Sequence, residues 1–504
     1  MPVRCALQRN CFKMPAPQRT RGGGQYAAAL SAVDKMNPTP YSAKTWWWLY
    51  AAAALSLYTT LWLPYIGEEA VYTITSLEMR LNHDFFVTTL YGNSYGRPPL
   101  LNWLIIPLAE ILGWDRMLLA SRLVTATATV ITGLIVGWLT LNLTRNRALA
   151  AFAAAVFLSG DALFYRGWLA YADSLMTLGV FGAIACLWVA VLRKEGALIW
   201  LAVLLVSGGF LAKVQTAYLF YGVALVVLAV ERDARRFLLG AHSIAAHVVA
   251  IAALLAWNAY FTHGTQSAST AVDIMLKIKS VDPGDYLHQL WSFPPETVLR
   301  FAPASAIAIY CWWRTRTVPL QEPIAGFPWR TLLAILMLNY LPYWLGPKTH
   351  IRYIMPLYPL AALALAAAIW QFGARPRALA TRWFVAAVVL RYAIGLWIFP
   401  WYQQHYRGDF AGTAAQIAAT TRGYPLYTTD VSATGLSVTA HLDTLRYPEP
   451  YLHWPPVQWS EGFVLSYTPN PDLGEVSASY PLGGNTLYLL CRGAACRTPG
   501  PAAK

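Results

Sequence analysis

Two adjacent carboxylates, Glu68 and Glu69, follow the first long apolar run, and a cation, Arg97, stands just ahead of Pro98 and Pro99 at the far end of the same polar segment. Charge held against a bilayer is costly and is retained where it does something. The same residue types return at the ends of later apolar runs. Arg166 and Asp173 occur in FYRGWLAYADSLMTL, Lys213 in GGFLAKVQTAY, and Lys348, His350 and Arg352 in GPKTHIRYIMPLYP. Cations at headgroup depth suit a phosphate ester, which they bind by charge-assisted hydrogen bonds and stabilise as it departs. A carboxylate suits removal of the proton from an acceptor hydroxyl. Together they describe group transfer from a lipid phosphate.

The elements that must position these residues are membrane helices. Hydrophobic residues make up 57% of the 504 and charged residues only 12%, the composition of a polytopic membrane protein. The formal charge of +14 does not mark a nucleic-acid partner, because the basic residues recur in short loops and never form a patch with interleaved aromatics. Apolar runs fall at 45–64, 118–142, 148–162, 174–192, 197–212, 214–230, 237–257, 301–313, 331–345, 353–371 and 383–400. The run 99–113 is too short to cross a hydrocarbon core of ~30 Å. If it does not cross, one set of loops holds 20 basic and 5 acidic residues and the opposite set 10 basic and 11 acidic. The positive-inside rule then puts the N-terminus in the cytoplasm and every candidate above on the outer side, and places 99–113 in the outer interface.

Residues 1–44 read as a basic cytoplasmic tail, 45–400 as the membrane domain with a first periplasmic loop over 65–116, and 401–504 as a separate domain. No cleavage site follows the first run, so it reads as an uncleaved span. In the last segment GDFAGTAAQIAATT reads as a helix and PLYTTD, GFVLSY and TLYLLCRG as strands, which makes a small periplasmic α/β domain. Of the six cysteines, Cys491 and Cys496 form the one local pair, either a disulfide of an oxidising compartment or two free thiols. Cys186 and Cys311 read as small core residues.

Plainer roles exist for each residue. Arg97, Lys348 and Arg352 could snorkel to headgroups, and Arg122 and Asp173 could be structural ion-pair partners. Arg391 lies deep in the last run and needs a partner. His242 and His247 read as satisfied core histidines, and Trp46, Trp47, Trp48, Trp312 and Trp313 as interface anchors.

The order of these features resembles the bacterial polyprenyl-phosphate-dependent glycosyltransferases of the C superfamily, the group related to the protein O-mannosyltransferases and the lipid A aminoarabinose transferase. An Asp-Glu-x-x-Tyr motif is matched by Glu68, Glu69 and Tyr72, and a Lys-Pro-Pro-Leu element by Arg97, Pro98, Pro99 and Leu100. An Ala-Arg-Leu turn is matched by Ser121, Arg122 and Leu123, an Arg and later Asp-x-Leu pattern by Arg166, Asp173 and Leu175, and Arg-Tyr-x-x-Pro-x-Tyr-Pro by Arg352, Tyr353, Pro356, Tyr358 and Pro359. The resemblance spans roughly residues 45–400. It implies an α-helical bundle of eleven to thirteen membrane helices, often with a periplasmic C-terminal domain.

It also implies roles. Glu68 is the candidate base, with Glu69 as its alternative because Glu68 stands where the family has the shorter Asp. Arg97 would contact the donor phosphate with Lys213, Arg352 and Lys348. Asp173 would join the carboxylates at the reaction centre, supported by Tyr72, Arg122, Arg166, His350 and Tyr353. Tyr95-Gly96 stands where some relatives carry an acid before the Lys-Pro pair, so no tightly bound metal is expected, although Glu68 and Glu69 could recruit a divalent cation weakly.

The expected function is an inverting glycosyltransferase of the bacterial inner membrane. It would move a sugar from a polyprenyl phosphate, undecaprenyl-based, to a periplasmic acceptor hydroxyl or phosphate on lipid A, a glycan or a protein. The alternative is a transporter or flippase of lipid-linked sugars, which would predict inverted repeats and charges in both leaflets. No internal repeat is seen and the charges favour one face.

Overall fold

The computed structural model describes residues 41–497 apart from 214, 262–281, 315–319 and 348. The tail before residue 41, with Cys5 and Cys11, and the site candidate Lys348 lie outside the described residues.

The first described helix, α1 (Ala43–Tyr58), opens on a reciprocal cap in which the Ser42 hydroxyl accepts from the Thr45 amide and the Thr45 hydroxyl from the Ser42 amide. The first outer loop then folds into α2 (Ala70–Asn82), a small hairpin of β1 (Thr89–Leu90) and β2 (Asn93–Ser94), and α3 (Leu100–Leu112). The bundle continues with α4 (Met117–Thr144), α5 (Arg147–Leu158), the single turn and a half α6 (Asp161–Arg166), α7 (Ala172–Arg193), α8 (Gly196–Ala212), α9 (Thr216–Ala229), the short α10 (Arg232–Leu238) and α11 (Ala241–Phe261). After residue 281 come α12 (Pro283–Arg300), α13 (Ala304–Arg314), α14 (Trp329–Leu345), a 3₁₀ segment Ile351–Leu357, α15 (Tyr358–Gln371) and α16 (Ala374–Ala393).

Among the described residues, five helical stretches are long and apolar enough to cross a membrane by length and composition. Helix α5, with 12 residues, is only about 18 Å long. It need not meet lipid, because every residue from Leu149 to Leu158 is buried among its neighbours. Small side chains make this closeness possible. Between α7 and α8 a Cβ on Gly179 would lie 2.6 Å from the Gly209 nitrogen, so neither helix could approach so closely with a larger residue there. Helix α3 has 13 residues, about 20 Å, too short to cross a bilayer.

The last membrane helix does not stop at residue 400. It runs on through π-helical turns Ile394–Ile398 and Gln403–Arg407, which flank α17 (Phe399–Tyr402), and ends where Gly408 takes φ 81°. Nothing in QQHYR breaks a helix, so a polarity change alone placed the boundary too early. Beyond it α18 (Phe410–Thr420), β3 (Leu426–Thr428), α19 (Ala433–Arg446), β4 (Gly462–Ser466), β5 (Glu475–Leu482) and β6 (Asn485–Arg492) form a four-stranded sheet in the order β3-β4-β6-β5. Only β3 and β4 are parallel, with Tyr427 opposite Val464. Phe410, Ile417, Val438 and Leu442 of the two helices pack on Phe463, Leu465, Leu487 and Leu489 of the sheet. Cys491 and Cys496 form a disulfide.

This C-terminal unit is not tethered loosely. Leu436 and Ala440 of α19 pack on Ala70, Val71 and Ile74 of α2, and Tyr447 stacks on Trp114 with ring centroids 5.2 Å apart. The unit therefore forms part of the surroundings of the acidic pair at the start of α2.

Candidate active site

The turn into α2 decides where the two carboxylates go. Gly67 takes φ 62°, and a Cβ there would sit 2.5 Å from the Tyr171 hydroxyl, so only glycine fits this backbone against that ring. The Tyr171 hydroxyl donates to the Ile66 carbonyl at 3.2 Å and accepts from the Glu68 amide at 2.8 Å. The chain is thus pinned on both sides of Gly67. Glu68 then points outward and Glu69 inward.

Glu69 is wholly buried and every lone pair is used. Its Oε1 accepts from Arg122 Nε at 3.0 Å and the Ala170 amide at 2.7 Å, and its Oε2 from Arg122 Nη2 at 2.5 Å and the Ile66 amide at 2.8 Å. Arg122, also fully buried, gives its remaining hydrogens to the carbonyls of Thr60, Leu61, Leu63 and Pro64 and lies over the Trp168 ring, 5.0 Å from its centroid. A buried pair needs such saturation to offset the cost of desolvation. Of the two acids considered for the base, Glu69 is locked in this clamp, and the exposed one is Glu68. The clamp also removes Glu69 from any shared cation site with Glu68.

Glu68 borders an open cleft of about 400 Å³ with Val71, Leu90, Asn93, Ser94, Tyr95 and Arg97, closed on its far side by Val431 and Leu436 of the C-terminal unit. Arg97 lies over the Tyr95 ring at 4.7 Å and donates to the Tyr72 hydroxyl at 3.4 Å. A second cationic group gathers around Tyr353. Lys213 Nζ pairs with Asp173 and sits 5.3 Å from the Tyr353 ring centroid, and the Arg352 guanidinium sits 5.3 Å from the same ring. Arg352 Nε is buried without a hydrogen-bond partner, a donor left open beside the Lys213–Asp173 pair. His350 meets Tyr353 edge-on at 5.8 Å. Glu68 is within electrostatic reach of both groups, acting on Arg97 and on Arg352.

Of the residues singled out in the sequence, the fold therefore brings Glu68, Arg97 and Tyr72 to one cleft and Asp173, Lys213, Arg352, Tyr353 and His350 to a neighbouring cluster. Arg166 lies beside Tyr165, 5.5 Å from its ring, and acts electrostatically on Tyr171. Tyr171, Val431 and Leu436 escaped the sequence reading, and Tyr95 entered it only as the residue standing where some relatives carry an acid. An aromatic or aliphatic side chain that shapes a cleft carries no signal in type or spacing. Away from the site, Arg391 donates to the Leu158 and Gly160 carbonyls and His247 is bonded to Tyr221 and the Ser243 carbonyl, both filling structural roles. Among the described residues no group of three or more His, Cys, Asp or Glu is disposed to hold a metal ion.

Residues 62–265, which contain the acidic turn, the clamp and Lys213, match the dolichyl-phosphate-mannose-protein mannosyltransferase family. The chain superposes on ArnT from Cupriavidus metallidurans bound to undecaprenyl phosphate with a TM-score of 0.60 at 15% identity, covering 91% of this chain and 100% of that one. This is the fold of the C-superfamily glycosyltransferases. The oligosaccharyltransferase of Archaeoglobus fulgidus, solved with zinc and sulfate, shares the C-superfamily fold more distantly, with a TM-score of 0.50 at 12% identity over 78% of this chain and 61% of that one. In sequence, the undecaprenyl phosphate-alpha-4-amino-4-deoxy-L-arabinose arabinosyl transferase of Pectobacterium atrosepticum is 26% identical over 329 residues, 63% of this chain. The match spans 56% of that relative's length.

Proposed function

We propose that the protein is a polyprenyl-phosphate-dependent glycosyltransferase that works with inversion at the outer face of a bacterial inner membrane. The observation that carries this reading is the exposed Glu68, which lines one cleft with Arg97 while its neighbour Glu69 is consumed by Arg122. A base needs freedom to meet a substrate; a phosphate needs donors that are not already spent.

The donor's phosphate is held by Lys213, Arg352 and Arg97, with Lys348 as a further candidate outside the described residues. Asp173 orients Lys213, and the Tyr353 ring carries both Lys213 and Arg352 on its face. Glu68 takes the proton of the acceptor hydroxyl as that oxygen bonds to the anomeric carbon from the side opposite the phosphate. The bond between that carbon and the phosphate oxygen breaks, and its electron pair leaves with the polyprenyl phosphate, whose charge the cations meet. The acceptor, a lipid A, glycan or protein hydroxyl, enters by the cleft that the C-terminal unit walls. No resident metal is invoked; Glu68 alone could attract a divalent cation only weakly.

The outer side of the membrane is supported by the charge asymmetry of the loops and by the Cys491–Cys496 disulfide, which suits an oxidising periplasm. Support for the lipid comes from ArnT, solved bound to undecaprenyl phosphate.

The test is transfer of label from a radiolabelled undecaprenyl-phosphate sugar to an envelope extract by the purified protein. Wild type should transfer, and Glu68→Gln and Arg97→Ala should not. Undiminished transfer by both variants would exclude this site.

A further inference from the structure

Helix α2 carries a third acid, which the reaction above does not use. Glu78 is 0% exposed, and among the described residues it has no salt-bridge partner. Its oxygens accept instead from the Thr89 hydroxyl at 2.5 Å, the Tyr91 amide at 2.6 Å and the Gly92 amide at 3.2 Å. Those last two are the turn residues of the hairpin, with φ 57° and 78°. A two-residue turn with both φ angles positive suits the twist of a hairpin, but a bulky tyrosine is a poor choice for its first position. Something outside the hairpin must hold it. Two successive amides converging on one carboxylate do so.

The hairpin matters because of what it presents. The Tyr95 amide donates to the Thr88 carbonyl at 2.9 Å and the Thr88 hydroxyl to the Arg97 carbonyl at 2.7 Å, so the returning strand delivers Tyr95 and Arg97 to the cleft in a fixed register. At the turn, the buried Tyr91 donates its hydroxyl to the Asp430 carbonyl at 2.8 Å, and the Trp454 amide donates to the Tyr91 carbonyl at 3.4 Å. Asp430 immediately precedes Val431, which is 58% exposed and lines the cleft. One buried carboxylate therefore sits beneath both walls.

We propose that Glu78 is a positioning residue of the site, whose buried carboxylate fixes the Tyr91–Gly92 turn and through it sets Arg97 on one wall of the cleft and the Asp430–Val431 segment on the other. For Arg97 this rests on the donor role proposed above. The groups around Glu78 favour no other partner. On α2 and α3 Arg80 pairs with Glu110, and on α4 Arg122 is taken by Glu69. From α19 comes a further buried acid, Asp443, one oxygen of which accepts from the Leu452 amide while the other has no partner; Arg446 pairs with Glu449. Burial pushes the Glu78 carboxyl up to about 7, and Asp443 is raised by burial and by the nearby Glu78. The ionised form is kept at a cost, and ionised it accepts more strongly from the two amides.

The experiment places a nitroxide at the hairpin tip, on Asn93→Cys with Cys5 and Cys11 replaced, in nanodiscs. It is read beside the affinity for undecaprenyl phosphate alone. The label should be ordered at pH 8 and loosen as the pH falls through about 7. In Glu78→Gln it should be loose throughout, with affinity at pH 8 down about tenfold, the worth of one lost charge-assisted contact. Thr89→Val, which keeps the carboxylate, should show a smaller change in the same direction. An ordered label in Glu78→Gln would overturn the proposal, as would a loosened label with unchanged affinity. A wild type that binds no undecaprenyl phosphate would overturn the donor reading of the site instead, and the label would still decide whether Glu78 anchors the hairpin.

Discussion

The clamp of Glu69 with Arg122 and the cluster of Lys213, Asp173 and Arg352 use the same side chains to opposite ends. In the clamp both partners are fully buried, and the carbonyls of residues 60, 61, 63 and 64 absorb what the ion pair leaves over. In the cluster the pair of Lys213 and Asp173 keeps some exposure, and Arg352 has a buried Nε with nothing to bond. Saturated charge builds the fold, and unsaturated charge keeps hydrogen-bonding capacity that a ligand could use. Applied to neighbours in sequence, the same criterion separates Glu69 from Glu68.

The comparison can be broken from the clamp side first. Arg122→Met would leave Glu69 buried without its partner, at a cost of about 3–5 kcal/mol. Folded yield and melting temperature should fall together, and activity should be lost only in proportion to folded protein. Activity lost from fully folded protein would mean that the clamp belongs to the chemistry.

The buried acids of α2 and α19 offer a pH test. A carboxyl raised from 4.5 to about 7 in the folded state binds its proton more tightly there, so its contribution to stability is complete below about pH 4.5 and is lost as the pH rises through about 7. The full swing is of order 3 kcal/mol. Thermal melting of wild type between pH 5 and 8 should show this decline, and Glu78→Gln should flatten it. An unchanged slope in the variant would assign the titration to Asp443 instead.

On the open side, Arg352→Ala should leave melting unchanged and weaken undecaprenyl phosphate binding by about 10- to 100-fold, the loss of contacts to a charged group. The smallest effect belongs to the periphery. The Cys491–Cys496 disulfide closes a loop of five residues' separation and should contribute about 2 kcal/mol. Cys491→Ser with Cys496→Ser should lower the melting temperature modestly while transfer at low temperature persists.

Much of this arrangement was legible in the sequence. Hydropathy located the apolar helices, because a lipid environment constrains composition directly. Glu68, Arg97, Asp173, Lys213 and Arg352 stood out because ionisable residues beside apolar runs are rare. The sequence could not tell Glu68 from Glu69. Their difference comes from Gly67 and Tyr171, which turn the backbone so that one acid faces Arg122 and the other the cleft. Helix α19 and strand β5 were also missed. ATGLSVTAHLDTLR has a mixed composition that neither period claims, and its helix rests on the Ser432 cap and on burial against α2. EVSASYPL is a half-exposed edge strand whose side chains alternate only weakly. Contacts between Val431, Leu436 and the cleft join residues far apart in the chain, which no local pattern records.

The most direct measurement separates binding from chemistry in one protein. Glu68→Gln should bind undecaprenyl phosphate with wild-type affinity, yet release it from a radiolabelled undecaprenyl-phosphate sugar about 10²- to 10⁴-fold more slowly in a single turnover with envelope acceptor, the usual worth of a general base. Release at the wild-type rate would contradict the account and remove Glu68 from the reaction.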